Sequence, residues 1–318
     1  MAERFRAGAW AEGGRTHRTL FVILVVFIFL NLFRHQWAVD VRTSSDDAAN
    51  LAWAMTLGLD FDLDFSNEVN FGAYTSANRD VPKGFYGTGL MAAPFVAAFS
   101  VVDRLGGHAV IGDHNQFVHS WSYFGFSFAA HFYFLSAVYL FWRSAKAFPR
   151  PPGIALTFLL CASSGVIYFV LDRVRMSHAF EFFALALVVY ATARTWEAAQ
   201  SGARAAVWIA IAAFAVALTL AVRFNDLNVI LLPLLVFALV LVARGQHGAH
   251  ARPQRFLGPA GAYLALVIAL YLPFAALNAR LYSVWIPTPA TVYRHSSAYR
   301  ETPRIPEIDG IGDLGAVL

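Results

Sequence analysis

Charged residues are scarce in this chain. Only 14% of its 318 residues are Asp, Glu, Lys or Arg, whereas a soluble domain carries roughly a quarter. The single cysteine, Cys161, cannot form an intrachain disulfide, which excludes a disulfide-stapled scaffold. Hydrophobic residues make up 58% of the chain and stand in long blocks, which excludes a disordered chain and the short alternating segments of a membrane β-barrel. The sequence therefore predicts an all-α, polytopic membrane protein.

Seven apolar runs approach the ~20 residues that a helix needs to cross a bilayer. They cover about 19–38, 119–142, 153–171, 177–195, 204–222, 226–243 and 257–279. An eighth run, 89–102, is shorter and contains Pro94. Runs of this length are more often interfacial or re-entrant than spanning, so we predict seven spans and an interfacial helix over 89–102.

The basic residues support that choice. If 89–102 does not cross and the N-terminus is cytoplasmic, the main basic clusters fall on the cytoplasmic side, as the positive-inside rule requires. These clusters contain Arg4, Arg6, Arg15, Arg18, Arg143, Lys146, Arg150, Arg194, Arg204, Arg244, Arg252 and Arg255. The formal net charge of +4 is then a matter of topology and does not indicate a nucleic-acid partner.

This topology gives a domain organisation. Residues 1–280 form one transmembrane domain in the inner (plasma) membrane, with an outer loop over about 35–118 that carries the interfacial helices. Residues 281–318 form an outer, Pro-rich tail, which we interpret as an incomplete C-terminal region.

An acidic pair, Asp46 and Asp47, follows the first span closely. Leu51, Met55 and Leu59 share one helical face behind it, which predicts a short amphipathic helix at the membrane surface. The pair could simply complement the helix dipole. Alternatively, one carboxylate could act as a general base that deprotonates an acceptor hydroxyl. The pair alone leaves both interpretations open.

Further along the outer loop, Asp60, Asp62 and Asp64 alternate with apolar residues. We interpret this run as a solvated turn, with a divalent cation as the alternative, because oxygen-rich loops suit hard cations. Lys83 and Tyr86 then precede the interfacial helix, where their side chains would suit an anionic lipid head group.

Two outer turns carry arginines against the expected charge bias, with Arg175 in one and Arg223 in the other. They could anchor in lipid head groups by snorkelling, or they could clamp a phosphate, since a guanidinium matches phosphate oxygens. His178 and Glu181 lie three residues apart at the start of a span. They could pair with each other, or serve a function, as ionisable residues in spans commonly do.

The order of these motifs resembles the GT-C superfamily of integral membrane glycosyltransferases, which includes the protein-mannosyltransferase-like and aminoarabinose-transferase-like families. The resemblance covers about residues 20–280. The segments that carry it are SDDAANLA at 45–52, DFDLD at 60–64, GFYGTGLMAAPF at 84–95, RMSHAFEFF at 175–183 and LAVRFND at 220–226.

The resemblance implies a glycosyltransferase that moves a sugar from a polyprenyl-phosphate-type lipid donor to a lipid, glycan or protein acceptor on the outer face. It implies Asp46 or Asp47 as the catalytic base, with Asp46 favoured as the first of the pair. The residues implied at the donor phosphate are Lys83, Arg175, Arg223 and His178. It implies no particular metal or other cofactor.

Two other classes remain open. A membrane transporter or lipid carrier would also have arginines and a His–Glu pair at its helix ends, although it would favour broken helices in repeated halves. GT-C enzymes usually have more spans and a longer C-terminal region than this chain, so a truncated, catalytically inactive paralogue is the other alternative.

Overall fold

The computed structural model describes residues 2–34, 45–63, 65, 82, 85–107, 120–146, 149–201, 205–246 and 254–287. Every regular element within these ranges is a helix, which confirms the predicted all-α class. The helices are α1 (Ala2–Arg34), α2 (Ser45–Met55), α3 (Gly87–Leu105), α4 (Trp121–Ala145), α5 (Ile154–Ala162), α6 (Val166–Leu171), α7 (His178–Ser201), α8 (Ala206–Val222), α9 (Leu231–Gln246) and α10 (Gln254–Tyr282). A π-helical turn follows α2 at Thr56–Asp60, and a 3-10 turn joins α8 to α9 at Phe224–Ile230.

Five helices of the described part are long and apolar enough to cross a membrane. They are α1, α3, α4, α7 and α10. The apolar stretches around α8 and α9 are shorter. Together these helices make the chain a multi-pass membrane protein with a helical bundle.

The predicted span over 153–171 is not continuous, which corrects the sequence interpretation. The helix stops after Ala162 and restarts at Val166. In the break, the Ser163 hydroxyl donates to the carbonyl of Leu160 at 2.8 Å, and the Ser164 hydroxyl donates to that of Cys161 at 2.6 Å. Both hydroxyls thus bind carbonyls of the last turn of α5, where the regular helical hydrogen bonds end.

Helix α3 is longer than the apolar run that predicts it. With 19 residues it is long enough to span a membrane, so its length does not exclude a span, as the sequence interpretation assumed. Its interfacial position stays a prediction. Helices α3 and α4 are antiparallel neighbours. Asp103, near the end of α3, accepts hydrogen bonds from the backbone of Trp121 at 2.7 Å and of Ser122 at 2.8 Å, at the start of α4. Its first turn packs on the end of α8, where a side chain on Gly87 would meet the backbone of Ala221.

Helix α2 is buried at every residue over 49–55, so the predicted amphipathic pattern with one exposed face is wrong, whereas its position at the membrane surface stays a prediction. The expected apolar face is buried, but so are its neighbours on the other faces. The buried side chains include Leu51, Trp53, Met55, Thr56 and Leu59. Helix α3 encloses one side so tightly that a side chain on Gly89 would meet the Cβ of Trp53. Helix α2 is therefore an internal element at one end of the bundle.

Candidate functional site

The first cluster of charges joins α2 to the turn at 172–177. The guanidinium Nε of Arg173 lies 2.8 Å from Oδ2 of Asp47, across 126 positions of sequence. One turn along α2, the amide of Asn50 donates to the backbone carbonyl of Arg175 at 2.8 Å. These two bonds fix the start of α2 against the segment that leads into α7.

Arg175 completes this group, which we call the Asp47 cluster: Asp47, Arg173 and Arg175. Its side chain is buried, with 3% of the residue exposed, and burial lowers the pKa of its guanidinium. Asp47 and Tyr123 oppose that lowering. Burial also disfavours the charged form of Arg173, but the hydrogen bond and the negative charge of Asp47, together with Tyr168, outweigh this and raise its pKa. Asp47 is thus the counter-charge of both arginines.

The Asp47 cluster carries more positive than negative charge, because one carboxylate faces two guanidinium groups. The carboxylate is also only half used: Oδ2 accepts from Arg173, whereas Oδ1 is buried and has no hydrogen-bond partner among the described residues. A carboxylate oxygen can only accept hydrogen bonds. Oδ1 therefore keeps the capacity to accept a further hydrogen bond.

A second cluster lies at the first turn of α7, and we call it the Glu181 cluster: His178, Glu181, Arg223 and Asp226. Nη1 of Arg223 donates to Oε2 of Glu181 at 3.0 Å, and Nδ1 of His178 lies 3.5 Å from the same oxygen. The carboxyl of Asp226 lies close enough to that of Glu181 for the negative charge of Glu181 to act on it. The cluster therefore places two carboxyl groups beside one arginine and one histidine.

Asp226 lies in the 3-10 turn between α8 and α9, outside the membrane-spanning helices. Burial and the negative charge of Glu181 raise the pKa of its carboxyl to about 6, whereas the positive charges of Arg223 and His178 act in the opposite direction. Two neighbouring carboxyl groups cannot both ionise easily. The pair can hold a proton at mildly acidic pH.

Tyr86 is not at a surface for lipid head groups, which corrects its predicted role. It is 2% exposed, and its hydroxyl donates to the backbone carbonyl of Phe274 in α10 at 3.0 Å. Its ring packs edge-on against Trp53 at 5.6 Å and stacks on Phe274 at 5.9 Å. Tyr86 therefore fastens the start of α3 to α2 and α10.

The structure brings some of the predicted site residues together and moves others. Arg175 is predicted at an exposed helix end but is buried beside Asp47. His178 and Glu181 do lie together, yet Glu181 is bound more closely by Arg223. The side chain of Asp46 and the whole of Lys83 lie outside the described residues, so their roles stay predictions.

Two members of these clusters are absent from the predicted set. Arg173 stands two positions before Arg175, in the same turn and with the same exception to the charge rule, so the sequence did contain a signal for it. Asp226 is the last residue of a motif that supports the resemblance, but nothing in the sequence links it to Glu181. Asp60 and Asp62 belong to the described part of the loop, which contains no group of three or more residues able to hold a metal ion; Asp64 lies outside it.

No protein-family model, curated protein or solved structure matches this chain. The likeness to GT-C enzymes therefore rests on the order of its sequence motifs.

Proposed function

We propose that the chain is a membrane glycosyltransferase of the GT-C type. It moves a sugar from a polyprenyl-phosphate-type donor to a lipid, glycan or protein acceptor. The N-terminus is cytoplasmic, and the reaction takes place at the outer face of the plasma membrane. The observation that supports this most is the Asp47 cluster, in which a carboxylate lies beside two guanidinium groups and one of its oxygens has no hydrogen-bond partner among the described residues.

In this proposal Asp47 is the general base. Oδ1 takes the proton of the acceptor hydroxyl while the hydroxyl oxygen bonds to the anomeric carbon of the sugar. The bond from that carbon to the lipid phosphate breaks, and the phosphate leaves with the electron pair, so the anomeric configuration inverts. Arg173 holds Oδ2 and so fixes the direction of the carboxylate. General-base catalysis of this kind contributes typically ~10²–10⁴-fold to the rate.

The excess positive charge has a role in the same reaction. Negative charge develops on the phosphate as it leaves, and fixed cations stabilise that charge most in a site from which water is excluded. Arg173 and Arg175 supply it from the Asp47 cluster. Among the described residues Arg223 bonds to Glu181 through Nη1, and its other N–H groups would bind the phosphate. His178 lies 3.5 Å from the same oxygen of Glu181 and helps to orient it, and Lys83 is a further cation predicted at the donor phosphate.

The test is a transfer assay on the full chain in nanodiscs that contain polyprenyl-phosphate-linked sugars and an extract of cell-surface acceptors. Mass spectrometry measures the release of polyprenyl phosphate. We expect Asp47→Asn to lower the rate at least ~100-fold. Asp62→Asn, which removes an exposed carboxylate of the same outer segment, should keep the parent rate. Parallel Asp46→Asn decides between the two members of the acidic pair.

Because Asp47 also neutralises Arg175, thermal unfolding of each variant must be measured as well. If Asp47→Asn does not fold, Asp47→Glu keeps the charge but moves the carboxylate, and we expect a folded protein with little transfer. Transfer at the parent rate by a folded Asp47→Asn protein would exclude Asp47 as the base.

A proton-coupled membrane transporter or lipid carrier is the second candidate. The Glu181 cluster favours it, because carboxyl pairs that hold a proton at a helix end occur in proton relays. In proteoliposomes, a carrier would move polyprenyl phosphate or a solute across the membrane in response to a pH gradient, without release of sugar. A catalytically inactive paralogue would bind the lipid donor and do neither.

A further inference from the structure

A groove of about 420 Å³ lies between α1, α4 and α7. Most of its walls are aliphatic or aromatic, and Leu20 and Leu24 of α1 face Leu135 and Leu140 of α4 across it. Phe21 and Phe132 also line it, and both are largely exposed on the outer surface of the bundle. The groove therefore opens sideways, towards the surface that the bundle presents to lipid.

One end of the groove is polar. His17 of α1 and Tyr139 of α4 line this end, and their rings stack at 5.9 Å between centroids. Ser136 lines the same part, one turn before Tyr139. Because residues three or four apart share a face of a helix, Arg143 continues the line of Ser136 and Tyr139 beyond the groove. Arg18 follows His17 directly on α1.

These two arginines have no acidic partner within the described part of the chain. The ion pairs found there involve Arg173, His178, Arg194 and Arg223. Among the described residues, Arg18 and Arg143 thus add positive charge near the polar end of an apolar groove. A guanidinium matches the oxygens of a phosphate group in geometry and charge.

We infer that this groove binds one anionic phospholipid, with an acyl chain between α1, α4 and α7 and its phosphate group beside His17, Tyr139, Arg18 and Arg143. The positive charge of the two arginines favours an anionic head group over a zwitterionic one. Anionic lipids give the membrane a negative surface potential, which attracts basic residues near the membrane.

This lipid is separate from the proposed sugar donor. Tyr123, beside Arg175, and Tyr139, at the polar end of the groove, are 16 residues apart on α4, which corresponds to about 24 Å of helix. A phosphate bound near His17 therefore cannot reach Asp47. The inference holds whether or not the chain transfers sugar.

The experiment uses the full chain in phosphatidylcholine nanodiscs that contain phosphatidylglycerol with a photoreactive diazirine in one acyl chain. After irradiation, mass spectrometry maps the labelled peptides. We expect the labels to concentrate in residues 17–24, 132–140 and 183–187. Unlabelled phosphatidylglycerol should lower this labelling at least ~5-fold more than phosphatidylcholine does, which corresponds to a head-group preference of about 1 kcal/mol.

Two pairs of variants separate binding of the acyl chain from recognition of the head group. Leu140→Trp fills the groove and should lower labelling several-fold, whereas Leu159→Trp, on the exposed face of α5, should not. Arg18→Gln with Arg143→Gln should remove the preference for phosphatidylglycerol, whereas Arg150→Gln should keep it. The arginine pair lies outside the groove, so it remains informative if Leu140→Trp does not fold.

Three results would overturn the inference. Labels spread evenly over the exposed helices would show that no defined site exists. An unchanged preference in the double arginine variant would exclude recognition of the head group. Polyprenyl phosphate that displaces the label better than phosphatidylglycerol would assign the groove to the sugar donor.

Discussion

The two charge clusters at the start of α7 are built from the same kinds of side chain but with opposite balance. The Asp47 cluster sets two guanidinium groups against one carboxylate; the Arg173 side chain is 35% exposed, whereas Arg175 is buried, with 3% of the residue exposed. The Glu181 cluster sets two carboxyl groups against one arginine and one histidine, and its arginine side chain is 38% exposed. The first can therefore take up a negative group, whereas the second can take up a proton.

The burial of Arg175 explains why the two clusters should respond differently to mutation. Removing one member of a buried ion pair leaves the other charge without solvent or partner, which is costly. An exposed charge that loses its partner is solvated by water, so the loss is small. The contrast can be tested by breaking each cluster in turn.

The largest effect is expected at Asp47. Asp47→Ala leaves the buried Arg175 without its counter-charge, and we expect a loss of about 3–5 kcal/mol in the free energy of unfolding. Adding Arg175→Met removes the stranded charge and should recover much of that loss, since apolar residues of similar volume often replace a buried ion pair without penalty. Equilibrium unfolding of the two single variants and the double variant measures the coupling. Strictly additive losses would contradict the pairing.

The next effect concerns the close helix contacts that hold each cluster in place. A methyl group at Gly89 would meet Trp53 of α2, whereas one at Gly87 would meet the end of α8 just before Arg223. Overpacking at each position should cost about 1–3 kcal/mol. Gly89→Ala should disturb the Asp47 cluster, and Gly87→Ala should disturb the Glu181 cluster.

Gly258→Ala in α10 is the matched control, because nothing lies within 4 Å of its added carbon. It should be neutral or stabilising by up to about 1 kcal/mol, the difference in helix propensity. Thermal unfolding compares the three variants. Equal behaviour of all three would show that the close packing of α3 is unimportant.

A smaller effect is expected at Glu181. Glu181→Gln weakens the contacts to Arg223 and His178 but leaves both side chains partly in solvent. We expect a loss of about 1 kcal/mol, between the values for exposed pairs and for charged hydrogen bonds. The same unfolding measurement applies. A loss as large as that of Asp47→Ala would remove the contrast between the clusters.

The smallest effect is a dependence on pH at Asp226. Its folded-state pKa, about 6, lies above the ordinary value of 3.8 for an aspartate. The stability that the protonated carboxyl contributes is therefore complete below the unfolded pKa and is lost as the pH rises through about 6. The melting temperature of Asp226→Asn should rise relative to the parent between pH 4 and pH 7. A constant difference in melting temperature between the two proteins across that pH range would contradict the raised pKa of Asp226.

The sequence predicts the bundle well because long apolar runs have few alternatives to membrane helices. It fails where the local sequence pattern carries no information about tertiary packing. The break at 163–165 contains only two serines and a glycine in an apolar run, and hydropathy averages over them. Helix α2 has an apolar face, but the burial of its other faces depends on α3, which lies more than thirty residues later.

The candidate site divides in the same way. Residue chemistry at helix ends singled out Asp47, Arg175, Glu181 and Arg223, all of which lie in the two clusters. The pairs themselves are set by tertiary contacts. Nothing local indicates that Arg173, rather than Arg175, forms the direct hydrogen bond to Asp47, or that the hydroxyl of Tyr86 is bound to a carbonyl in α10.

The position of Tyr86 has a consequence for biosynthesis. Its hydroxyl binds a carbonyl 188 residues further along the chain. At about 5–20 residues per second, ribosomes make that carbonyl roughly 10–40 s after Tyr86 itself. The end of α8 is made before that carbonyl, but the part of α10 that binds Tyr86 is missing throughout the interval. The start of α3 thus reaches its final packing only after translation of α10, so truncating the chain before residue 274 should leave α3 more open to added protease.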